Sequence, residues 1–146
     1  VASYSAALVA GKPVHTFRNA TIADGLAVPV VGSRAFDVAR RHVDSTVVVS
    51  ERMITVAMLK LIEMESLVVE GGGAIALAAI MPNGPLHEHV RGKRVVIPLC
   101  GGNVDITTVG RVIDRGLAIE SRLVRFKVVV TDRPGGIALV TAILRP

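Results

Sequence analysis

The stretch VVIPLCGGNVD, residues 95–105, decides how the rest of the chain is interpreted. A β-branched apolar run ends at the chain's single cysteine, and two glycines, an Asn and an Asp follow. This order is typical of a buried parallel strand whose C-terminal end faces a ligand, because glycine lets the backbone approach a bound group closely. Cys100 is then either a small buried side chain or a weak hydrogen-bonding group at the edge of a site.

Other segments of the chain also predict short buried strands, and helices lie between them. Short apolar runs at 46–50, 67–69 and 94–99 predict buried strands. Helical spacing predicts helices near 4–10, from Ser33 to about residue 43, after a Ser50 cap, between the triple glycine and Pro82, and over 105–115 with Gly116 as the stop. Alternating strands and helices predict the α/β class, with a parallel sheet and flanking helices.

The pattern changes after Gly116. Residues 117–121 predict a linker, 123–131 alternate as in a half-exposed strand, and a turn at 132–136 leads into an apolar helix over 137–144. One strand and one helix cannot cover their own apolar surface, so we expect the chain to be cut inside a second unit. The predicted domains are therefore 1–116 and 122–146, joined by the linker.

Composition narrows the function classes. The chain has 146 residues, 51% hydrophobic and 20% charged, which suits one globular domain with a packed core. Its net charge of +5 is scattered and has no interleaved aromatic residues, which argues against nucleic-acid binding. A single cysteine allows no internal disulfide and favours a reducing compartment, the cytoplasm. No apolar run approaches the ~20 residues of a membrane span, and the first residues do not resemble a signal peptide.

Three further motifs have competing interpretations. Glu70 lies between an apolar run and three glycines, and its carboxylate is either solvated or held inside a site. The triple glycine lacks a following Lys-Ser/Thr pair, so it is not a P-loop, and helix packing is its expected use. The i,i+2 spacing of His87 and His89 does not place two imidazoles on one helix face, so this stretch predicts a solvated loop and no metal site.

Four motifs together resemble a known family: TIADGLAV (21–28), LVVEGGGAIALAA (67–79), VVIPLCGGNVD and VGRVIDRGL (109–117). In this order they are similar to the C-terminal part of the catalytic domain of threonine and serine dehydratases and serine racemases. These are pyridoxal-phosphate enzymes of fold type II, the tryptophan-synthase-β fold. The resemblance covers roughly residues 1–116. VVVTDRPGG (128–136) resembles the first strand and helix of an ACT regulatory domain.

The resemblance implies pyridoxal 5'-phosphate as the cofactor and L-threonine or L-serine as the substrate, which is converted to a 2-oxo acid and ammonia. In this family the residue at Cys100 hydrogen-bonds the pyridine nitrogen, and a neutral thiol leaves that nitrogen largely unprotonated, which favours loss of the β-hydroxyl. Glu70 matches the acidic residue near the ring, and Gly32 matches a glycine that lines it. The implied cofactor site also includes Gly101, Gly102 and Asn103.

The resemblance also shows what the chain does not contain. The family's Schiff-base lysine lies in a Ser-x-Lys-type motif upstream, and the four lysines here occur in no such setting: Lys12, Lys60, Lys93 and Lys127. We therefore expect this chain alone to be inactive. The first acidic residue of the family's cation site is expected before Val1, which leaves binding of a monovalent or divalent cation open.

The ACT-like segment implies an amino-acid effector site at Asp132, Gly135 and Gly136, built between paired subunits, and hence a homo-oligomer. Two alternatives stay open at this point. A serine racemase shares this half of the site, although racemases of this family generally lack the ACT-like segment. A non-catalytic fragment that binds a partner is the other alternative.

Overall fold

A computed structural model describes residues 2–17, 19–130 and 132–144. Val1, Thr131 at the end of the last predicted strand, and the final two residues of the predicted second domain lie outside the described residues, as does Arg18. Within this part of the chain there are seven α-helices and one 3₁₀ turn, Asp24–Leu26. The helices are α1 (Ser3–Ala10), α2 (Ser33–His42), α3 (Glu51–Glu65), α4 (Gly71–Ile80), α5 (His87–Val90), α6 (Ile106–Ile119) and α7 (Gly136–Ile143).

Helix α3 is the centre of the packed core, with α4 and α6 against it. Ser50 caps α3 as predicted, because its hydroxyl accepts a hydrogen bond from the Met53 amide at 3.3 Å. The apolar side of α3 is buried with residues of its neighbours. These core residues are Ala23, Ile54, Ala57, Met58, Leu61, Val69, Ala74, Ala78 and Val112.

The predicted parallel sheet is the main correction, since the described residues contain no β-strand. The predicted strands have no regular secondary structure apart from the Ser50 cap of α3. These segments are 46–50, 67–69, 94–99 and 123–130. A strand needs a ladder of hydrogen bonds to a neighbour. Among the described residues, one backbone bond links the chain just after two of these segments, from the Glu70 amide to the Gly101 carbonyl at 2.9 Å. β-Branched composition alone therefore did not determine the secondary structure.

The glycine positions also differ from the predictions. Gly71–Gly73 form the first turn of α4, whereas the sequence predicted a helix that begins after them. Gly116 lies inside α6, three residues before its end, and does not terminate the helix. A Cβ at Gly116 would lie 2.8 Å from Leu59 Cδ2, so this glycine serves close packing of α6 on α3. Because α6 continues to Ile119, helix occupies most of the predicted linker 117–121.

Smaller differences occur at other helix ends. Gly11 ends α1 in the left-handed conformation, with φ of 69°, as predicted. Gly32, and not Ser33, is the N-cap of α2. The predicted loop around His87 contains the single turn α5, and the predicted helix after residue 136 is α7. No helix of the described residues is both long and apolar enough to cross a bilayer.

Candidate active site

Glu70 contacts Gly101, the neighbour of Cys100, where two of the predicted strands end. The Glu70 amide bonds Gly101, and the Glu70 side chain lies directly over the Gly101 Cα: a Cβ there would overlap the carboxylate and lie 2.8 Å from Cγ. Gly101 has φ of 82°, a conformation that favours glycine. The sequence therefore needs glycine at this position for two reasons, the backbone conformation and the close approach of Glu70.

The small residues of α4 allow this contact. A Cβ at Gly73 would overlap the carbonyl oxygen of Cys100, and a Cβ at Gly71 would lie 2.6 Å from the carbonyl carbon of Ile22. The first turn of α4 is thus pressed between the TIADGLAV segment and the Cys100 segment. This confirms the prediction that the triple glycine serves packing, here of helix against backbone.

Cys100 is exposed, so the interpretation of its thiol as a small buried side chain is wrong. Glu70 is half-buried, and neither its carboxylate nor the thiol forms a hydrogen bond to another described residue. A Cβ at Gly102 would approach nothing closer than the Val68 carbonyl oxygen, at 3.9 Å. These residues together offer an open, side-chain-free surface beside two polar groups that lack protein partners.

A cavity of about 480 Å³ lies beside this surface, and Glu70 and Asn103 both line it. Its other polar walls carry both signs of charge. They comprise Thr21, Asp24, Glu51, Asp105, Thr108, Arg111 and Arg115. Of the predicted cofactor residues, the structure thus brings Glu70, Asn103 and the Cys100–Gly102 segment to one region.

Glu51 is a residue of this region that the sequence interpretation missed. Its carboxylate accepts hydrogen bonds from the Thr21 hydroxyl and, at 2.9 Å, from the Ile22 amide, while the Thr21 hydroxyl also accepts from the Ala23 amide at 3.1 Å. The first turn of α3 thereby fixes the TIADGLAV segment against the cavity. No local signal could have identified this contact, because Thr21 and Glu51 are 30 positions apart.

Gly32 lies at a different place, on a second cavity of about 480 Å³. Thr21 and Glu51 line both cavities, so their hydrogen bond separates the two spaces. Tyr4 lines this second cavity. Its hydroxyl is buried and has no hydrogen-bond partner among the described residues. The effector residues Asp132, Gly135 and Gly136 line neither cavity.

An ion-pair cluster lies at the end of α6, away from these cavities. Lys60 of α3 binds Glu120 at 2.7 Å and Glu63 at 3.5 Å, and Arg122 binds Glu63 at 2.7 Å and Glu120 at 3.1 Å. The hydrogen bond between Lys60 and Glu120 raises the pKa of Lys60 and lowers the pKa of Glu120. The contacts to Glu63 and Glu120 raise the pKa of Arg122. This cluster attaches the residues after α6 to the core.

No group of three or more His, Cys, Asp or Glu side chains in the described ranges is arranged to hold a metal ion. The predicted loop histidine His87 contacts the Ile80 carbonyl at 3.0 Å through Nδ1.

Comparison with known proteins identifies the family. Residues 1–101 match the family profile described as "Pyridoxal-phosphate dependent enzyme". The chain is 38% identical over 129 residues to an L-threonine ammonia-lyase of Thermotoga maritima, covering 88% of this chain and 29% of that protein. It is 40% identical over 128 residues to an L-threonine ammonia-lyase of Geobacter sulfurreducens, covering 88% of this chain and 31% of that protein. The chain thus spans about 30% of the length of these relatives.

Solved structures give the same result. A processed threonine deaminase isoform 2 from Solanum lycopersicum superposes with a TM-score of 0.70 at 25% identity, covering 78% of this chain and 33% of that chain. A serine racemase from Dictyostelium discoideum superposes with a TM-score of 0.61 at 32% identity, covering 71% and 32%. The resemblance to threonine and serine dehydratases and their relatives is therefore confirmed. The chain belongs to the family of pyridoxal-phosphate dependent enzymes, and its cofactor is pyridoxal phosphate.

Proposed function

We propose that this chain is part of a threonine/serine dehydratase, which removes the β-hydroxyl and the amino group of L-threonine or L-serine and releases a 2-oxo acid and ammonia. The relatives named as L-threonine ammonia-lyases support this activity. The contact of Glu70 with Gly101, directly beside Cys100, is the observation that carries the proposal. It joins the two motifs that the family's cofactor site requires.

The residues present fit a flat, polar ring. Cys100 and Glu70 lack hydrogen-bond partners among the described residues, and the open surface at Gly102 leaves space for a planar group. When bound, pyridoxal phosphate supplies an electron-withdrawing ring that stabilises negative charge at the substrate Cα. The residues that would hold it are Cys100, Glu70, Gly101, Gly102 and Asn103, and Gly32, which lines the second cavity, is left out of this proposal.

Cys100 sets the character of the site in this proposal. A neutral thiol is a weak hydrogen-bonding group and does not hold a proton on the ring nitrogen as a carboxylate would. Negative charge at the substrate Cα is then less delocalised into the ring, and this favours elimination of the β-hydroxyl. Glu70 orders the polar surroundings of the ring, and Glu51 keeps the Thr21–Ala23 backbone in place beside it.

The proton-transferring lysine is not among the residues that this proposal assigns. Lys60 is already paired with Glu120 and Glu63, and it lies outside the candidate site. Lys12, Lys93 and Lys127 lie in no Ser-x-Lys-type motif. The activity is therefore proposed for the longer protein that contains this sequence, in the cytoplasm, and the 146-residue chain alone is proposed to be inactive.

The segment after α6 is proposed as the start of an ACT-like regulatory domain, with an amino-acid effector near Asp132, Gly135 and Gly136 in a homo-oligomer. The similarity to the Thermotoga L-threonine ammonia-lyase covers 129 residues of this chain. It therefore continues well beyond residues 1–101, which match the family profile. This extension supports a dehydratase over a serine racemase, the second candidate, which the Dictyostelium structure supports.

The test replaces Cys100 in the full-length protein. We expect Cys100→Asp to lower 2-oxo acid release from L-threonine at least tenfold, since a carboxylate would hold the ring nitrogen protonated. Cys100→Ser is the matched control and should retain most activity, because serine also occupies this position in the family. Cofactor absorbance checks that each variant binds pyridoxal phosphate. Unaltered elimination in Cys100→Asp would refute the assigned role, and racemisation of L-serine exceeding elimination would favour the second candidate.

A further inference from the structure

The turn that follows α4 contains the dipeptide Asn83–Gly84. Asn83 is exposed, and its φ of 67° lies in the left-handed region. Asparagine is one of the few residues besides glycine that adopt this conformation readily. Gly84 is needed for a different reason, since a Cβ there would overlap the carbonyl oxygen of Ala79. The backbone of this turn therefore favours an asparagine followed by a glycine.

This dipeptide is chemically reactive. Glycine has no Cβ, so its backbone nitrogen is open to approach by the side chain of the preceding asparagine. The Gly84 nitrogen attacks Asn83 Cγ, and the bond between Cγ and the side-chain nitrogen breaks. That nitrogen takes up the Gly84 amide proton and leaves as ammonia, and a five-membered succinimide ring remains. Water then opens the ring at one of its two carbonyls, which gives aspartate or isoaspartate at position 83.

We propose that Asn83 is a site of spontaneous deamidation, at which the protein gains one negative charge. The sequence contains two other asparagines, Asn19 before Ala20 and Asn103 before Val104. The side chains of alanine and of β-branched valine shield the backbone nitrogen that would have to attack. The proposal therefore singles out one asparagine of three, and it does not depend on the dehydratase activity.

One hydrogen bond opposes the reaction in the folded protein. The Gly84 amide donates to the Met81 carbonyl at 2.8 Å, so its nitrogen cannot attack while this bond is formed. The bond lies in a solvent-accessible turn, because Pro82, Asn83 and Pro85 are all exposed. Exposed turns open locally at a low free energy. Opening of the turn therefore sets the rate, and alkaline pH accelerates the reaction because the attacking amide must lose its proton.

The product affects a part of the molecule that is already charged. Asn83, Lys60 and Glu120 line one cavity of about 500 Å³, and Lys60 binds Glu120 at 2.7 Å. A carboxylate at position 83 adds a charge of the same sign as Glu120 to this cavity. Isoaspartate also lengthens the backbone by one carbon. This change strains the turn, across which the Leu86 amide donates to the Ala79 carbonyl at 2.8 Å.

The experiment incubates the full-length protein at mildly alkaline pH and follows deamidation by mass spectrometry of tryptic peptides. Cleavage after Lys60 and Arg91 releases residues 61–91, in which Asn83 is the sole amide side chain. Asn19 and Asn103 fall in other peptides and are the internal controls. We expect the 61–91 peptide to gain one mass unit at least about tenfold faster than either control peptide, because only Asn83 precedes a glycine.

Two variants test the effect on the turn by hydrogen exchange of the Leu86 amide. In the incubated parent protein this amide should exchange up to about tenfold faster, because isoaspartate weakens its hydrogen bond. Asn83→Asp adds the charge without lengthening the backbone, so its exchange should stay near that of fresh parent protein. Asn83→Gly suits the positive φ and has no side-chain amide, so incubation should leave its exchange unaltered.

Three results would overturn the proposal. The first is an Asn83 that keeps its amide throughout the incubation, and the second is a mass gain at Asn83 no faster than at Asn19 or Asn103. Either would show that the closed turn blocks the attack. The third is equally accelerated Leu86 exchange in incubated Asn83→Gly, because the change would then arise elsewhere in the protein.

Discussion

Two kinds of region in the molecule are similarly apolar, yet they bury their side chains very differently. They are the helices α3, α4 and α6, and the extended segments 46–49, 95–99 and 124–130. Met58 of α3 is 2% exposed, whereas Val96 is 96% exposed. A helix satisfies its own backbone hydrogen bonds, so it needs only one face covered. An extended segment needs a neighbour for both its backbone and its side chains. The contrast teaches that the helices supply most of the described core, to which Ala23 and Val69 are the contributions from outside a helix.

The largest expected effect on stability comes from truncating a buried side chain of that core. Met58→Ala should lower the free energy of unfolding by about 2–5 kcal/mol, because it removes a buried side chain and leaves a cavity. Val96→Ala should change it by less than about 0.5 kcal/mol. Urea unfolding followed by circular dichroism measures both. A comparable loss in Val96→Ala would contradict the comparison, since it would mean that the extended segment is packed.

Much of the helical part could be predicted from the sequence, because its signals are local. The Ser50 cap and the Gly11 stop are each defined within four residues of the helix end. The strands could not be settled in the same way. Their β-branched runs indicated an extended conformation, but pairing depends on segments distant in sequence, and only the contact of Glu70 with Gly101 is present among the described residues.

The residues of the candidate site show the same difference between local signals and contacts distant in sequence. Cys100, Glu70 and Asn103 were identified from motifs, and the structure brings them to one region. Glu51 was missed because its role arises only when α3 folds against residues 21–23. The stop assigned to Gly116 was wrong for a related reason. This glycine allows close packing against Leu59 of another helix and does not mark the end of α6.

The next expected effect concerns this long-range anchor. Glu51→Ala should lower the free energy of unfolding by about 2–3 kcal/mol, because the Ile22 amide and the Thr21 hydroxyl lose their charged acceptor. Glu65→Ala, at the exposed end of the same helix, is the control and should cost less than about 0.5 kcal/mol. Hydrogen exchange of the Ile22 amide reports the contact directly. Unchanged protection of this amide in Glu51→Ala would show that the contact does not hold the segment.

A pair of glycines within α6 sharpens the comparison at smaller scale. Gly116→Ala should destabilise the protein by about 1–2 kcal/mol, because the new Cβ would press on the buried Leu59. Gly110→Ala in the same helix meets nothing within 4 Å and should stabilise the protein by about 0.5–1 kcal/mol, because alanine is the better helix former. Thermal unfolding measures both. Stabilisation by both variants would show that α6 does not pack closely on α3.

The smallest expected effect lies at the junction between the two regions, where Lys60 binds Glu120. Lys60→Met should cost less than about 1 kcal/mol near neutral pH, because both side chains are partly solvated. Lys93→Met, which is exposed, is the control.

The pH dependence identifies the interaction. The pKa of Glu120 is held below its usual 4.5, chiefly by the hydrogen bond from Lys60, so its stabilising contribution is present above that value and is lost as pH falls through the lower folded pKa. The pKa of Lys60 is raised above 10.5, so its contribution is present below that value and is lost as pH rises through the higher folded pKa. The difference in unfolding free energy between the parent protein and Lys60→Met should therefore be constant between these limits and shrink beyond both. A difference that persisted below the folded pKa of Glu120 would assign the loss to packing of the lysine stem instead of the ion pair.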